Sequence, residues 1–207
     1  MARRKKEEPI VHQNRIAEKA MILFAQKGID NTKMDEIAAA AGYGKATLYV
    51  YFNNKEDIVS FIALKSMEKL KETIKAAVLA GGTTKEIFFS ICDSLVRFQE
   101  EYPDFFEGTL QYIQIDSSDE DSMLYKIYQL GEDVNQMLCE YLKQGMEAGA
   151  FEETDDYFAT ILLMWGMISG VIKLAAKKED YLRIGGNLSK EAFLRKGFEK
   201  IYRSISK

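Results

Sequence analysis

Residues 32–56 read TKMDEIAAAAGYGKATLYVYFNNKE. Two short helices and the start of a long one are written in this stretch. Thr32 stands three residues before Asp35, the spacing of a capping box, so a helix is expected to begin at Thr32. Met34, Ile37, Ala38 and Ala41 give that helix one apolar face, and Gly42 ends it. A second short helix is expected over Gly44 to Phe52. Its Leu48 and Phe52, at i and i+4, would turn toward a small core. Asn53 with Glu56 is another cap signal, opening a long helix from about Asn54 to Leu79. On the N-terminal side, Ile16, Ala20, Leu23 and Phe24 share one helical face, and Gly28 follows as a left-handed stop.

The helical period continues to the end of the chain, with no convincing alternating strand segment. Ala80-Gly81-Gly82 breaks the long helix. Thr83 with Glu86 caps the next, which runs to about Glu101. Tyr102-Pro103 is a break, followed by a short aromatic helix from Asp104 to about Ile115. The acidic run Asp116 to Asp121 suits a solvated helix start better than a metal site, because carboxylates complement the positive helix end. Met123, Ile127, Leu130, Val134, Leu138, Tyr141 and Leu142 mark a long amphipathic helix ending at Gly149. Thr154-Asp155-Asp156 caps an apolar helix through Lys178, and Ser189 caps a last one to about Ser206. The expected fold is all-α, with about nine helices. The scarcity of proline, 2 in 207 residues, suits long helices.

Charge divides the chain further. Its net charge of -4 excludes a protein that coats nucleic acid with its whole surface. Residues 1–55 nevertheless carry +4 and residues 56–207 carry -8. A basic head on an acidic body meets an anionic partner through the head alone. Residues 1–9, MARRKKEEP, read as a flexible basic arm and not as a signal peptide, since no apolar core follows. Cys92 and Cys139 belong to no CxxC pair and read as reduced thiols of a cytoplasmic protein. Phe158 to Ile172 is an uncharged, mostly apolar run, shorter than the ~18–20 residues that cross a bilayer. It reads as a buried helix, and no membrane partner is expected.

Three short helices with tight glycine turns in a basic segment are the parts of a helix-turn-helix DNA reader. One helix crosses the phosphate backbone and the next enters the major groove. The crossing helix would start at Thr32 and the groove helix would span Gly44 to Phe52. Lys45 suits guanine edges or phosphate, and Thr47 suits a thymine methyl or phosphate. Tyr49 and Tyr51 carry hydroxyls for phosphates, and Lys55 would grip the backbone. An isolated YxYF is more often a set of core aromatics, so the reading rests on the whole arrangement.

Three pieces fall at fixed spacings: Phe24-Ala25-Gln26-Lys27-Gly28, Ile37-Ala38-Ala39-Ala40-Ala41-Gly42, and Thr47 through Glu56. Together they resemble the tetracycline-repressor (TetR) family over roughly residues 10–60. The resemblance implies a homodimer of all-helical subunits. Each has a DNA-binding domain, here residues 1–55, and an effector-binding and dimerisation domain, here residues 56–207. It carries the family's DNA contacts onto Thr32, Lys33, Tyr43, Gly44, Lys45, Ala46, Thr47, Tyr49, Tyr51 and Lys55. Gly44 stands where the family often has Ser, Ala46 where it often has Gly, and Lys33 where it often has Ser or Thr. These departures bear on which operator sequence is read.

The helix from Tyr157 to Leu174 is apolar nearly all round and must be covered on both sides. Ile161, Leu162, Trp165 and Ile172 are assigned to the chain's own domain, and Met164, Met167, Val171 and Leu174 to a partner. Gly166 and Gly170 would allow close helix approach. In the family, the last two helices form the dimer interface. A dimer would set two groove helices about 34 Å apart on a pseudo-palindromic double-stranded DNA operator. Phe88, Cys92, Phe105, Phe106, Tyr112, Met123, Tyr128, Met137, Met164 and Trp165 are the candidates to line a cavity for a small, largely apolar effector. The same residues also suit a plain core.

Neither a cofactor nor a metal is expected. The one histidine, His12, is placed at the surface beside the basic arm. No Walker loop, GxGxxG, GxSxG or ExxH pair is present, so no catalytic residue is assigned. Two readings stay open: a repressor released from DNA by its effector, and a DNA-binding architectural factor with a filled core.

Overall fold

Helix-forming periodicity holds along the chain in the computed structural model, which describes residues 7–108 and 119–207. The helices are α1 (Pro9–Lys27), α2 (Met34–Ala40), α3 (Lys45–Tyr51), α4 (Lys55–Leu79) and α5 (Thr84–Glu101). They continue with α6 (Pro103–Gly108), α7 (Met123–Glu147), α8 (Tyr157–Lys177), α9 (Glu179–Gly186) and α10 (Lys190–Arg203). Among the described residues the extended pairing is a single bridge, Phe151 to Ser206. The fold is all-α, with one helix more than expected among the described residues. The addition is α9, whose signal is short: Tyr181, Leu182 and Ile184 occupy barely two turns before Asn187 stops the helix in the left-handed region at φ 45°.

Several caps lie where residue types place them. The Thr83 hydroxyl accepts from the Glu86 N–H, and the Glu86 carboxylate accepts from the Thr83 N–H. Asp156 and Ser189 accept from the N–H groups of Ala159 and Ala192. Two caps differ from expectation by one residue. α2 begins at Met34 with Lys33 as its N-cap, and the Glu36 carboxylate accepts from the Lys33 N–H at 2.8 Å. Thr32 is buried instead, and its hydroxyl donates back to the Gly28 carbonyl at 2.8 Å. At α4, Asn54 accepts from the Asp57 N–H at 2.7 Å, and Asp57 accepts from the Asn53 N–H.

Contacts divide the chain into two compact units. The first is Met1–Lys65 with Glu120–Lys126; the second is Ser66–Asp119 with Ile127–Lys207. The first unit closes over Ile16, Ala20 and Phe24 of α1, Ile37 and Ala38 of α2, Leu48 of α3, and Phe52, Ile58 and Phe61. Phe52 and Phe61 meet edge to face, with centroids 5.5 Å apart. Full burial of side chains this large contributes about 1.5–3 kcal/mol each, enough to hold seven-residue helices that are not stable alone.

The second unit has one continuous core running through α5, α7, α8 and α10. α8 packs chiefly on α10 and also on α5. Its buried stripe is Ile161, Met164, Ile168, Ile172 and Ala175, a 3.6-residue repeat. Phe158, Leu162, Leu163, Met167 and Leu174 are exposed. The expected division of α8 is therefore corrected: Met164 and Val171 face the subunit's own core, Val171 against Gly197 of α10, and Leu162 faces out. The cause is the helical turn, which carries Leu162 a quarter-circle past Ile161 and brings Met164 back over it. By length and composition α8 is also long and apolar enough to cross a membrane.

Candidate nucleic-acid interface

The turn between α2 and α3 is held by main-chain bonds. Gly42 adopts φ +75°, a region open to glycine and strained for most side chains. That geometry lets the Tyr43 N–H reach the Ala38 carbonyl at 2.9 Å. Gly44 then caps α3 in an extended conformation, its carbonyl accepting from the Thr47 and Leu48 N–H groups. Leu48 and Phe52 fix α3 by their burial, and Lys45, Ala46, Thr47, Tyr49 and Val50 are exposed. Val50, at 75% exposure, was missed by the sequence reading. Its only signal is that it is apolar yet off the Leu48–Phe52 stripe.

The cations of this surface differ in their freedom. Lys45 pairs with the Asp35 carboxylate at 3.0 Å and 3.2 Å, and that hydrogen bond raises its pKa further. Both side chains are more than half exposed, so the pair is open to exchange for a phosphate. Lys33 is exposed at the start of α2. Lys55 is engaged within the protein. Its ammonium donates to the carbonyls of Ile29 at 2.7 Å, Asp30 at 3.2 Å and Thr32 at 3.3 Å. Thr32, in the same turn, is buried with its hydroxyl satisfied.

Tyr43 and Tyr51 converge on the single histidine. The Tyr43 hydroxyl lies 2.7 Å from His12 Nδ1 and accepts from Arg15 Nη1 at 3.0 Å. The Tyr51 ring stacks on the imidazole, with centroids 5.0 Å apart and planes 23° apart. His12 is thus half-buried between two aromatic rings, not free at the surface. A partner 31 residues away leaves no local signature in sequence.

The ten candidate effector residues are placed unevenly. Phe88, Cys92, Phe106 and Met164 are buried in the core of the second unit. Phe105, Met137 and Trp165 pack against that core, with Trp165 and Phe106 ring centroids 5.9 Å apart. Burial pushes the Cys92 thiol pKa far up, so it stays protonated. Tyr128 is half-buried in the second unit, and Met123 belongs to the first. Tyr112 lies outside the described residues. A surface groove of about 660 Å3 runs along α5 and α10, lined by Phe89, Val96, Leu194, Arg195 and Phe198 among others. None of the described candidates lines it.

Residues 16–60 match the family described as bacterial regulatory proteins, tetR family. The biofilm operon icaADBC negative transcriptional regulator IcaR of Staphylococcus aureus (strain Newman) is 25% identical over 155 residues, 74% of this chain and 79% of that protein. The transcriptional regulator AcrR of Shigella flexneri is 39% identical over 62 residues, 30% of this chain and 29% of that protein. Among solved structures, the TetR family transcriptional regulator PfmR from Thermus thermophilus superposes with a TM-score of 0.68 at 28% identity. That match covers 91% of this chain and 97% of PfmR.

Proposed function

Because this chain belongs, through the domain at residues 16–60, to the TetR family of bacterial regulatory proteins, we propose that it is a homodimeric repressor that reads a pseudo-palindromic operator and leaves it on binding a small, largely apolar effector. The observation that carries the DNA reading is the division of α3: Leu48 fixes it from within, while Lys45, Ala46, Thr47 and Tyr49 stand exposed on the same two turns. Such a helix presents one cation, one hydroxyl and one phenol to a groove at little conformational cost, because its core anchor is already in place. Tyr43, Gly44 and Lys33 flank it on the phosphate side. Thr32 and Lys55 contribute by fixing the turn between α1 and α2. The family is one of transcriptional regulators, and no catalytic role is assigned to any residue.

Dimerisation is assigned to α8 and α10, the last two long helices, with Leu162, Leu163, Met167 and Leu174 as the apolar contact. An effector acts by population shift: it must bind more tightly to the dimer whose groove helices are misspaced for DNA. The second reading, an architectural factor with no effector, is favoured by the close burial of Phe88, Cys92, Phe106 and Met164 in one core.

The test is selection of genomic fragments by the purified protein, repeated with Tyr49→Ala and Lys45→Ala. Recovery of one pseudo-palindrome by the wild type, with loss of at least tenfold in affinity in both variants, supports the repressor reading. Recovery of fragments without a common sequence moves the assignment to the architectural one.

A further inference from the structure

His12 has no part in the groove contacts, yet it sits where two of the flanking tyrosines meet. Its surroundings come from three places in the first unit. Before α1, the Glu7 carboxylate lies 3.7 Å from His12 Nε2. From α1 itself, Arg15 reaches both the Tyr43 hydroxyl at 3.0 Å and Glu7 at 3.7 Å. From the α2–α3 turn comes Tyr43, and from α3 comes Tyr51, stacked on the ring. Among the described residues, these are the titratable and charged groups that face the imidazole.

The hydrogen-bond arithmetic of this cluster depends on one proton. A neutral imidazole has one N–H and one bare nitrogen. The Glu7 carboxylate accepts only, so it favours the N–H on Nε2 and leaves Nδ1 bare. The Tyr43 O–H then donates to Nδ1, and its oxygen accepts from Arg15. In that state Tyr43 has no hydrogen left for a phosphate. A protonated imidazole carries N–H on both nitrogens. Nδ1 then donates to the Tyr43 oxygen, and the phenolic O–H must turn away, toward an external acceptor. The added positive charge lies against the Tyr51 face, a favourable cation–π arrangement.

We propose that His12 is a positioning residue for DNA binding: its protonation turns the Tyr43 hydroxyl from an internal donor into a phosphate donor, so DNA binding takes up a proton at His12. This rests on the DNA-binding reading above. The sign follows from linkage. DNA phosphates favour the charged imidazole, so affinity is higher at low pH and is lost as pH rises and the imidazole gives up its proton. The chain holds 1 histidine, so His12→Gln removes every imidazole and isolates its contribution to any pH dependence.

The experiment measures affinity for the selected duplex from pH 6 to pH 8 at constant ionic strength. Wild type, His12→Gln and Tyr43→Phe are compared. Wild type is expected to bind about three- to tenfold more tightly at pH 6 than at pH 8, as follows when DNA binding takes up one proton. His12→Gln should show a flat profile. Tyr43→Phe keeps the imidazole and loses the hydroxyl, so it should lose most of the gain. In parallel, the single imidazole signal of the wild type is followed by ¹H–¹⁵N NMR, which needs no variant. At pH 8 without DNA it should show protonated Nε2 and bare Nδ1, and its titration should move to higher pH when the duplex is added. Equal pH profiles in the three proteins, or an Nδ1–H tautomer at pH 8, overturn the proposal and leave the DNA reading standing. No binding by any of them at any pH overturns the DNA reading, and this inference with it.

Discussion

Lys55 lies next to the tyrosine-rich helix, in a position the family resemblance assigns to the DNA backbone, and its ammonium is spent on three carbonyls of the α1–α2 turn. Its first role is therefore to hold that turn. Lys55→Met keeps the aliphatic stem and removes the three donors. Loss of charged hydrogen bonds from a half-exposed site should lower stability by about 1–2 kcal/mol, read by urea denaturation. A variant that unfolds like wild type but binds DNA weakly would return Lys55 to the phosphate role. Lys45 presents the opposite case. Asp35 neutralises it in the unbound protein, so Asp35→Asn should strengthen DNA binding about two- to fivefold at low salt, with the gain fading as salt screens it. Fluorescence anisotropy at two salt concentrations checks this. Residue types and spacings made the exposed row of α3 legible, because a 3.6-residue period fixes which positions flank Leu48. They did not reveal where Lys55 or His12 would find partners, since those lie 26 and 31 residues away and depend on the fold.

At the scale of elements, α8 packs closely against α10. A Cβ added at Gly197 would sit 2.6 Å from Val171 Cγ1, and the β-branched Val171 side chain is stiff about χ1. Gly197→Ala should therefore cost about 1–3 kcal/mol from overpacking, despite the better helix propensity of alanine. Gly131, in α7, has nothing within 4 Å of the same position. Gly131→Ala should instead stabilise by about 0.4–1 kcal/mol, by restricting the unfolded chain. Thermal melts that shift in the same direction for both variants would contradict this reading of the α8–α10 contact. Capping chemistry explains why most helix starts were legible: Thr83, Asp156 and Ser189 each sit three residues before a free N–H. The two caps displaced by one residue have a common reason. Adjacent polar residues offered rival caps, and burial of Thr32 and the reach of Asp57 decided between them. α9 was not legible, because its amphipathic pattern lasts only eight residues, about two turns, and none of its side chains is buried.

At the scale of the molecule, the exposed side of α8 needs an explanation that the described residues of its own subunit do not supply. Leu163 is 68% exposed and Leu174 52%, on a helix with few charges, and Leu162 and Met167 are exposed beside them. A contiguous apolar surface of this kind is costly in water and marks an association site. On the proposed DNA reading a second copy is the partner, because one seven-residue helix in the groove would contact only a half-site. The apolar character of α8 was plain in sequence; which half of it faces outward was not, since an all-round apolar helix has no polar side to mark its orientation. Leu163→Glu combined with Leu174→Glu places two charges on that surface and none in the core. The double variant should keep its helical content and sediment as a monomer at concentrations where wild type is a dimer. Its affinity for the full operator should fall by at least about a hundredfold, since the two half-sites are then bound independently. A monomer that still binds the full operator as tightly as wild type would separate dimerisation from DNA reading. A double variant that remains dimeric would move the interface off α8.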